Sequence, residues 1–151
     1  MPNWCEGWVK FRGSKEDLIK FITNEFKGAN PEMCFSDLIP DIPERTVFLK
    51  SLYRSCVYSD DVEEEANDSI ILNEEGIGIF IVKIHHAWSV GGQGYVELAK
   101  KYNLDIKGKC YERGMEFVEE FEINNKGEVV LYKEHKFNDY YWECECPTLG
   151  G

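Results

Sequence analysis

Apolar positions along the chain change period several times, and each change marks an element. Residues 4–11 (Trp-Cys-Glu-Gly-Trp-Val-Lys-Phe) are rich in aromatics and free of helix punctuation, which predicts a first strand ended by Gly13. Ser14, with Asp17 three residues on, is a capping-box variant, and Leu18, Ile19, Phe21, Ile22 and Phe26 recur on one helical face until Gly28. That is an amphipathic helix. Residues 30–43 carry Pro31, Pro40 and Pro43 and read mostly as loop. Residues 44–53 fit a second helix with Val47, Phe48 and Leu52 inward, while their β-branched and aromatic content leaves a strand open.

The second half is clearer. Residues 77–86 (Ile-Gly-Ile-Phe-Ile-Val-Lys-Ile-His-His) are too apolar for an edge and predict a central strand leading into Ala87-Trp88-Ser89. Gly91, Gly92 and Gly94 separate it from a helix whose Tyr95, Leu98, Ala99 and Tyr102 fall at i, i+3, i+4 and i+7. Three strand-like runs follow at 104–112, 115–123 and 128–135. Asn124-Asn125-Lys126-Gly127 between the last two is a hairpin signal. Phe137, Tyr140, Tyr141 and Trp142 close the ordered part, and residues 147–151 are expected to fray. Helices that cover a largely antiparallel sheet make an α+β two-layer sandwich, and a ferredoxin-like arrangement with the helices on one face fits the order best. One domain over 1–151, with a variable insert at about 30–75, is the expected organisation.

Charge changes the picture more than composition does. The 151 residues carry 17 Lys and Arg against 28 Asp and Glu, a net charge of −11, and 43% apolar residues suffice for a real core. Residues 60–75 hold eight acids (Asp60, Asp61, Glu63, Glu64, Glu65, Asp68, Glu74, Glu75) and no base. Such a field repels phosphate backbones and anionic lipid, so neither nucleic acid nor a membrane is an expected partner, and a basic protein surface is. No apolar run reaches the ~18 residues a spanning helix needs, and Met1-Pro2-Asn3-Trp4 is no secretory leader, so a cytoplasmic protein is expected.

Candidate chemistry is sparse. The six cysteines are scattered, and Cys144-Glu-Cys146 is spaced too tightly for a zinc knuckle; free thiols, no metal and no cofactor are the expectation. The 90–94 segment (Val-Gly-Gly-Gln-Gly) lies between strand and helix like a phosphate loop but lacks both glycine-rich nucleotide patterns, so it reads as a connector. His85 and His86 are neighbours in a strand and point to opposite faces. Either could form a nucleophile–base pair with Cys110 or Cys56, which keeps a small thiol- or metal-dependent enzyme as an alternative. Trp4, Trp8, Trp88 and Trp142 could stack bases if exposed, yet core packing fits an acidic chain better. In residues 115–123, Phe117, Phe121 and Ile123 take one face and Glu116, Glu120 and Glu122 the other.

The opening Met1-Pro2-Asn3-Trp4-Cys5, together with Trp88-Ser89 leading through a helix to residues 111–117 (Tyr-Glu-Arg-Gly-Met-Glu-Phe), resembles the YubB-like ferredoxin-like family of phage and plasmid proteins. Gly7 and Val118 stand where that family has Asn and Gly. The resemblance implies a ferredoxin-like fold and carriage on mobile elements, and brings no catalytic residues. The expected function is therefore a non-enzymatic inhibitor that occupies a basic surface of a host protein, of the anti-CRISPR or anti-restriction type. Its contacts would be Asp60, Asp61, Glu63, Glu64, Glu65, Glu116, Glu120 and Glu122. A homodimer, or a homo-oligomeric structural protein, is the third reading.

Overall fold

A computed structural model describes residues 3–26, 46–58 and 70–151. Two eleven-residue strands form its spine. Strand β1 (Trp4–Ser14) pairs antiparallel with β5 (Ile77–Ala87) along its whole length, from Trp4 opposite Ala87 to Ser14 opposite Ile77. On its other side β1 pairs with β6 (Asp105–Glu112), followed outward by β7 (Phe117–Ile123) and β8 (Val129–Lys136). Beyond β5 lie β3 (Ser55–Tyr58) and then β2 (Thr46–Phe48), while β4 (Ile71–Leu72) pairs with the opposite end of β5. The result is one eight-stranded antiparallel sheet, ordered β2-β3-β5-β1-β6-β7-β8, in an α+β protein.

Helix α1 (Lys15–Glu25) starts where β1 stops, because the Ser14 hydroxyl accepts the Asp17 N–H at 3.1 Å as N-cap. Strand β1 therefore runs through Gly13 rather than ending there. Helix α2 (Gly92–Tyr102) begins at Gly92, so two of the three glycines read as a break are helical; Gly94 lies against Leu52, where an added Cβ would come within 2.7 Å of its Cδ2. The expected stripe of Tyr95, Leu98, Ala99 and Tyr102 is buried. Both helices cover one sheet face, and the core between them is aromatic: Phe11 lies 4.4 Å from Phe21 and Tyr95 4.9 Å from Phe121, centroid to centroid.

Three expectations are corrected. The helix weighed over 44–53 is, from residue 46 on, strand β2 followed by a turn at residues 50–54, in keeping with its Thr46-Val47-Phe48 run. The end of the chain does not fray. Short helix α3 (Tyr140–Glu143) and the residues after it fold over the sheet face opposite α1 and α2, so the helices are not all on one face as expected, and Tyr140 and Cys144 pack there with Tyr111 and Val118 in a second small core. There the Gly151 N–H donates to the Trp4 carbonyl at 3.0 Å. The hairpin at 124–127 forms as read: Asn124 Oδ1 accepts the N–H groups of Lys126 and Glu128, and Gly127 takes φ +78°.

Candidate functional site

Strand alternation assigns the candidate residues to two faces. Odd positions of β1 (Cys5, Gly7, Val9, Phe11) face the helices, and even positions (Trp4, Glu6, Trp8, Lys10, Arg12) face the open side. Gly7 has no room for a side chain, since a Cβ would lie 2.0 Å from the Lys109 carbonyl oxygen. Close approach of β6 is the reason this position is glycine.

The two histidines divide as expected. His86 faces the helices, fully buried, with Nδ1 3.0 Å from the Cys5 carbonyl and Nε2 2.6 Å from the Tyr95 hydroxyl. A carbonyl only accepts, so Nδ1–H donates to it and Nε2 takes the Tyr95 O–H. Around this pair lie Cys5, Cys110 and Glu119, all buried. Glu119 accepts the Val90 N–H at 2.8 Å and the Tyr132 O–H at 2.8 Å, and Cys5 Sγ lies 3.7 Å from the same carboxylate. Contact with Cys110, burial and the Glu119 charge together push the Cys5 thiol far up. The Val90 bond also ties the glycine connector to the sheet, which is the work this loop does.

His85 faces the open side in a box of Trp4, Glu6, Tyr58 and Cys56. Its ring lies 4.1 Å from Tyr58 and edge-on to Trp4 at 6.4 Å, and its Nδ1 is 3.2 Å from a Glu6 oxygen, misaligned as a hydrogen bond. Lys83 reaches the other Glu6 oxygen at 2.9 Å. Burial raises the Glu6 carboxyl, but His85 and Lys83 outweigh it and hold it down to about 2. Cys56 stands in register with His85, and burial pushes its thiol up to about 12, so it stays S–H. Both thiol–imidazole neighbourhoods drawn from the sequence therefore exist, and both are buried. Among the described residues no group of three or more His, Cys, Asp or Glu could hold a metal ion.

Of the acidic candidates, Asp60, Asp61, Glu63, Glu64 and Glu65 lie outside the described residues. Glu116 is not in β7 but in the turn before it, at φ +61°, exposed, its carbonyl accepting the Phe137 N–H. Glu120 and Glu122 face the open side, each in register with a lysine: Glu120 with Lys109 and Lys133, Glu122 with Lys107. The open face is thus mixed in charge rather than acidic. Glu119 is the group that sequence reasoning passed over. Its signal was available, because it shares the odd, apolar positions of β7 with Phe117 and Phe121.

The motif residues Asn3, Trp88 and residues 112–114 meet at one end of the sheet. Asn3 O accepts the Trp88 N–H at 2.9 Å, and the buried Glu112 carboxylate accepts the Gly114 and Met115 N–H groups at 2.7 and 2.6 Å. Trp88 holds φ +74° with its indole about half exposed. Comparison with protein-family models, characterised proteins and solved structures finds no match to this chain. No helix among the described residues is long and apolar enough to cross a membrane.

Proposed function

We propose that this chain is a non-catalytic acidic binding protein with a ferredoxin-like core, carried by a phage or other mobile element, that engages a basic surface of a host protein. One observation carries the binding reading. Residues 59–69 hold six Asp and Glu and no Lys or Arg, a net −6, whereas the other 140 residues hold 17 Lys and Arg against 22 Asp and Glu, a net −5. A charge needed only for solubility would be spread over the surface; more than half of this one is concentrated in 11 residues. The target it suits is the nucleic-acid groove of a defence nuclease, where opposite potentials speed encounter and set register.

Two further features support the reading. In β5–α2–β6 two parallel strands flank β1, and β1–α1 leads on to strands on the far side of β5, an order that supports the ferredoxin-like reading. The buried imidazoles are engaged by Tyr95, the Cys5 carbonyl and Glu6, which gives them structural work.

The test is affinity capture from a bacterial lysate at low salt and at about 0.15 M, followed by calorimetric titration of the captured protein. Replacement of Asp60, Asp61, Glu63, Glu64 and Glu65 by Lys should abolish binding and its salt dependence. Unchanged affinity in that variant, with its melting curve intact, refutes the reading.

A further inference from the structure

The open face of the sheet carries a pattern that only the strand register reveals. Trp8 stands in mid-sheet, 55% exposed, with Lys83 opposite it on β5 and Lys109 opposite it on β6. In the next row Lys10 faces Lys107 directly. Like charges set opposite each other across a sheet destabilise it. Neither lysine makes an ion pair or hydrogen bond among the described residues, although Lys83, Lys109 and Arg12 on the same face are paired with Glu6, Glu145 and Asp105. A groove of about 290 Å³ runs past Trp8, Lys10, Lys107 and Tyr111, and a second of about 220 Å³, sharing Lys10 and Lys107, continues it toward Arg12 and Ile79.

We infer that this face binds a single-stranded nucleic acid, with a base stacked on the Trp8 indole and the adjoining phosphates held between Lys10 and Lys107. The argument is complementarity of two kinds. An anion between Lys10 and Lys107 relieves the repulsion between two lysines that make no ion pair among the described residues, with Glu122 in register on the far side of Lys107. A half-exposed indole next to the Lys10–Lys107 pair matches the alternation of base and phosphate, for which every base has a π-face. Glu120 and Glu122, on the β7 side of the groove, repel phosphate and accept from the amino edges of bases, which sets the strand with its backbone on β1/β6 and its base edges toward β7. An acidic peptide satisfies the lysines but leaves the indole without a role, so the strand is the better occupant. The inference stands apart from the acidic segments, since every group it uses lies in the sheet. It departs from the expectation that charge excludes nucleic acid: six of the eleven excess negative charges belong to residues 59–69.

The experiment is fluorescence anisotropy of a labelled, mixed-sequence, roughly 12-nucleotide single strand, as RNA and as DNA, titrated with the whole chain at about 50 mM and about 200 mM salt. Trp8→Ala should raise Kd about tenfold. Lys10→Gln with Lys107→Gln should weaken all sequences alike and lower the salt slope by roughly 1.5, while Lys20→Gln on α1 changes neither. Thermal melts show whether each variant is folded, and Trp8→Phe, which keeps a ring, should recover part of the affinity. Three results overturn the inference: no binding by the wild-type chain at the lower salt, binding that Trp8→Ala leaves unchanged, or equal competition by poly-glutamate, which would make the face a site for acidic protein.

Discussion

Glu119→Ala is the sharpest test of how the buried polar cluster holds the sheet to its helix connector. The side chain is 3% exposed and its carboxylate accepts from Val90 N–H, Tyr132 O–H and the Cys5 thiol. Truncation strands the buried Val90 N–H, at a cost of about 1–3 kcal/mol, while the more exposed Tyr132 hydroxyl recovers water and loses about 1 kcal/mol. The small cavity adds to this, so the expected loss is about 3 kcal/mol. For a domain of this size that is a fall in Tm of about 6–12 °C. Urea denaturation followed by far-UV circular dichroism measures it. Glu119→Gln keeps an acceptor for Val90 and should lose under half as much. A loss below about 0.5 kcal/mol in the alanine variant refutes the assignment of Glu119 as the connector's anchor.

Tyr95→Phe removes the 2.6 Å partner of His86 and leaves a buried ring nitrogen unpaired, so stability should drop by about 1–3 kcal/mol in the same urea assay. Gly7→Ala, which forces a Cβ against the Lys109 carbonyl, should separate β1 from β6 and yield little folded protein, read as loss of the cooperative melt. Trp88→Gly should stabilise by about 1 kcal/mol, because it relieves a positive φ at an exposed bulky residue; a lower Tm would show that the indole makes packing contacts that outweigh the strain. The Glu6 carboxyl is held near 2 in the folded chain against an ordinary 4.5, so the stability it adds is complete above about 4.5 and is lost as pH falls toward 2. Glu6→Gln should flatten the stability profile in that window.

Periodic signals were legible because they repeat. The stripe in α2, the Ser14 cap, the apolar run of β5 and the turn at 124–127 are each a local pattern with a local cause, and the structure places each one. The strand β2 was ambiguous, because three residues give no period and Thr46-Val47-Phe48 must compete with the helix-compatible residues around it. The closing segment was misjudged for a different reason. Its anchors, Tyr111, Val118 and the Trp4 carbonyl, are distant in sequence, and nothing in Pro-Thr-Leu-Gly-Gly announces them. Glu119 could have been found from alternation alone: an acid at an apolar position of a strand must meet donors when it is buried.

The charge pattern shows most directly what register adds to sequence. Trp8, Lys10, Lys83, Lys107 and Lys109 come from three separate segments and look unremarkable in each, and only the pairing of β1 with β5 and β6 gathers them. The pairing of β7 with β6 and β8 sets Glu120 and Glu122 against lysines, so these acids do not form an acidic face. Charge on this chain is therefore segregated rather than uniform, with a sheet face of mixed charge around Trp8 and one acidic segment, residues 59–69, holding six of the eleven excess negative charges. A mean charge of −11 describes neither. Screening over about 8 Å at physiological salt makes a ligand respond to the charges it touches, and the face built around Trp8 must be judged by those.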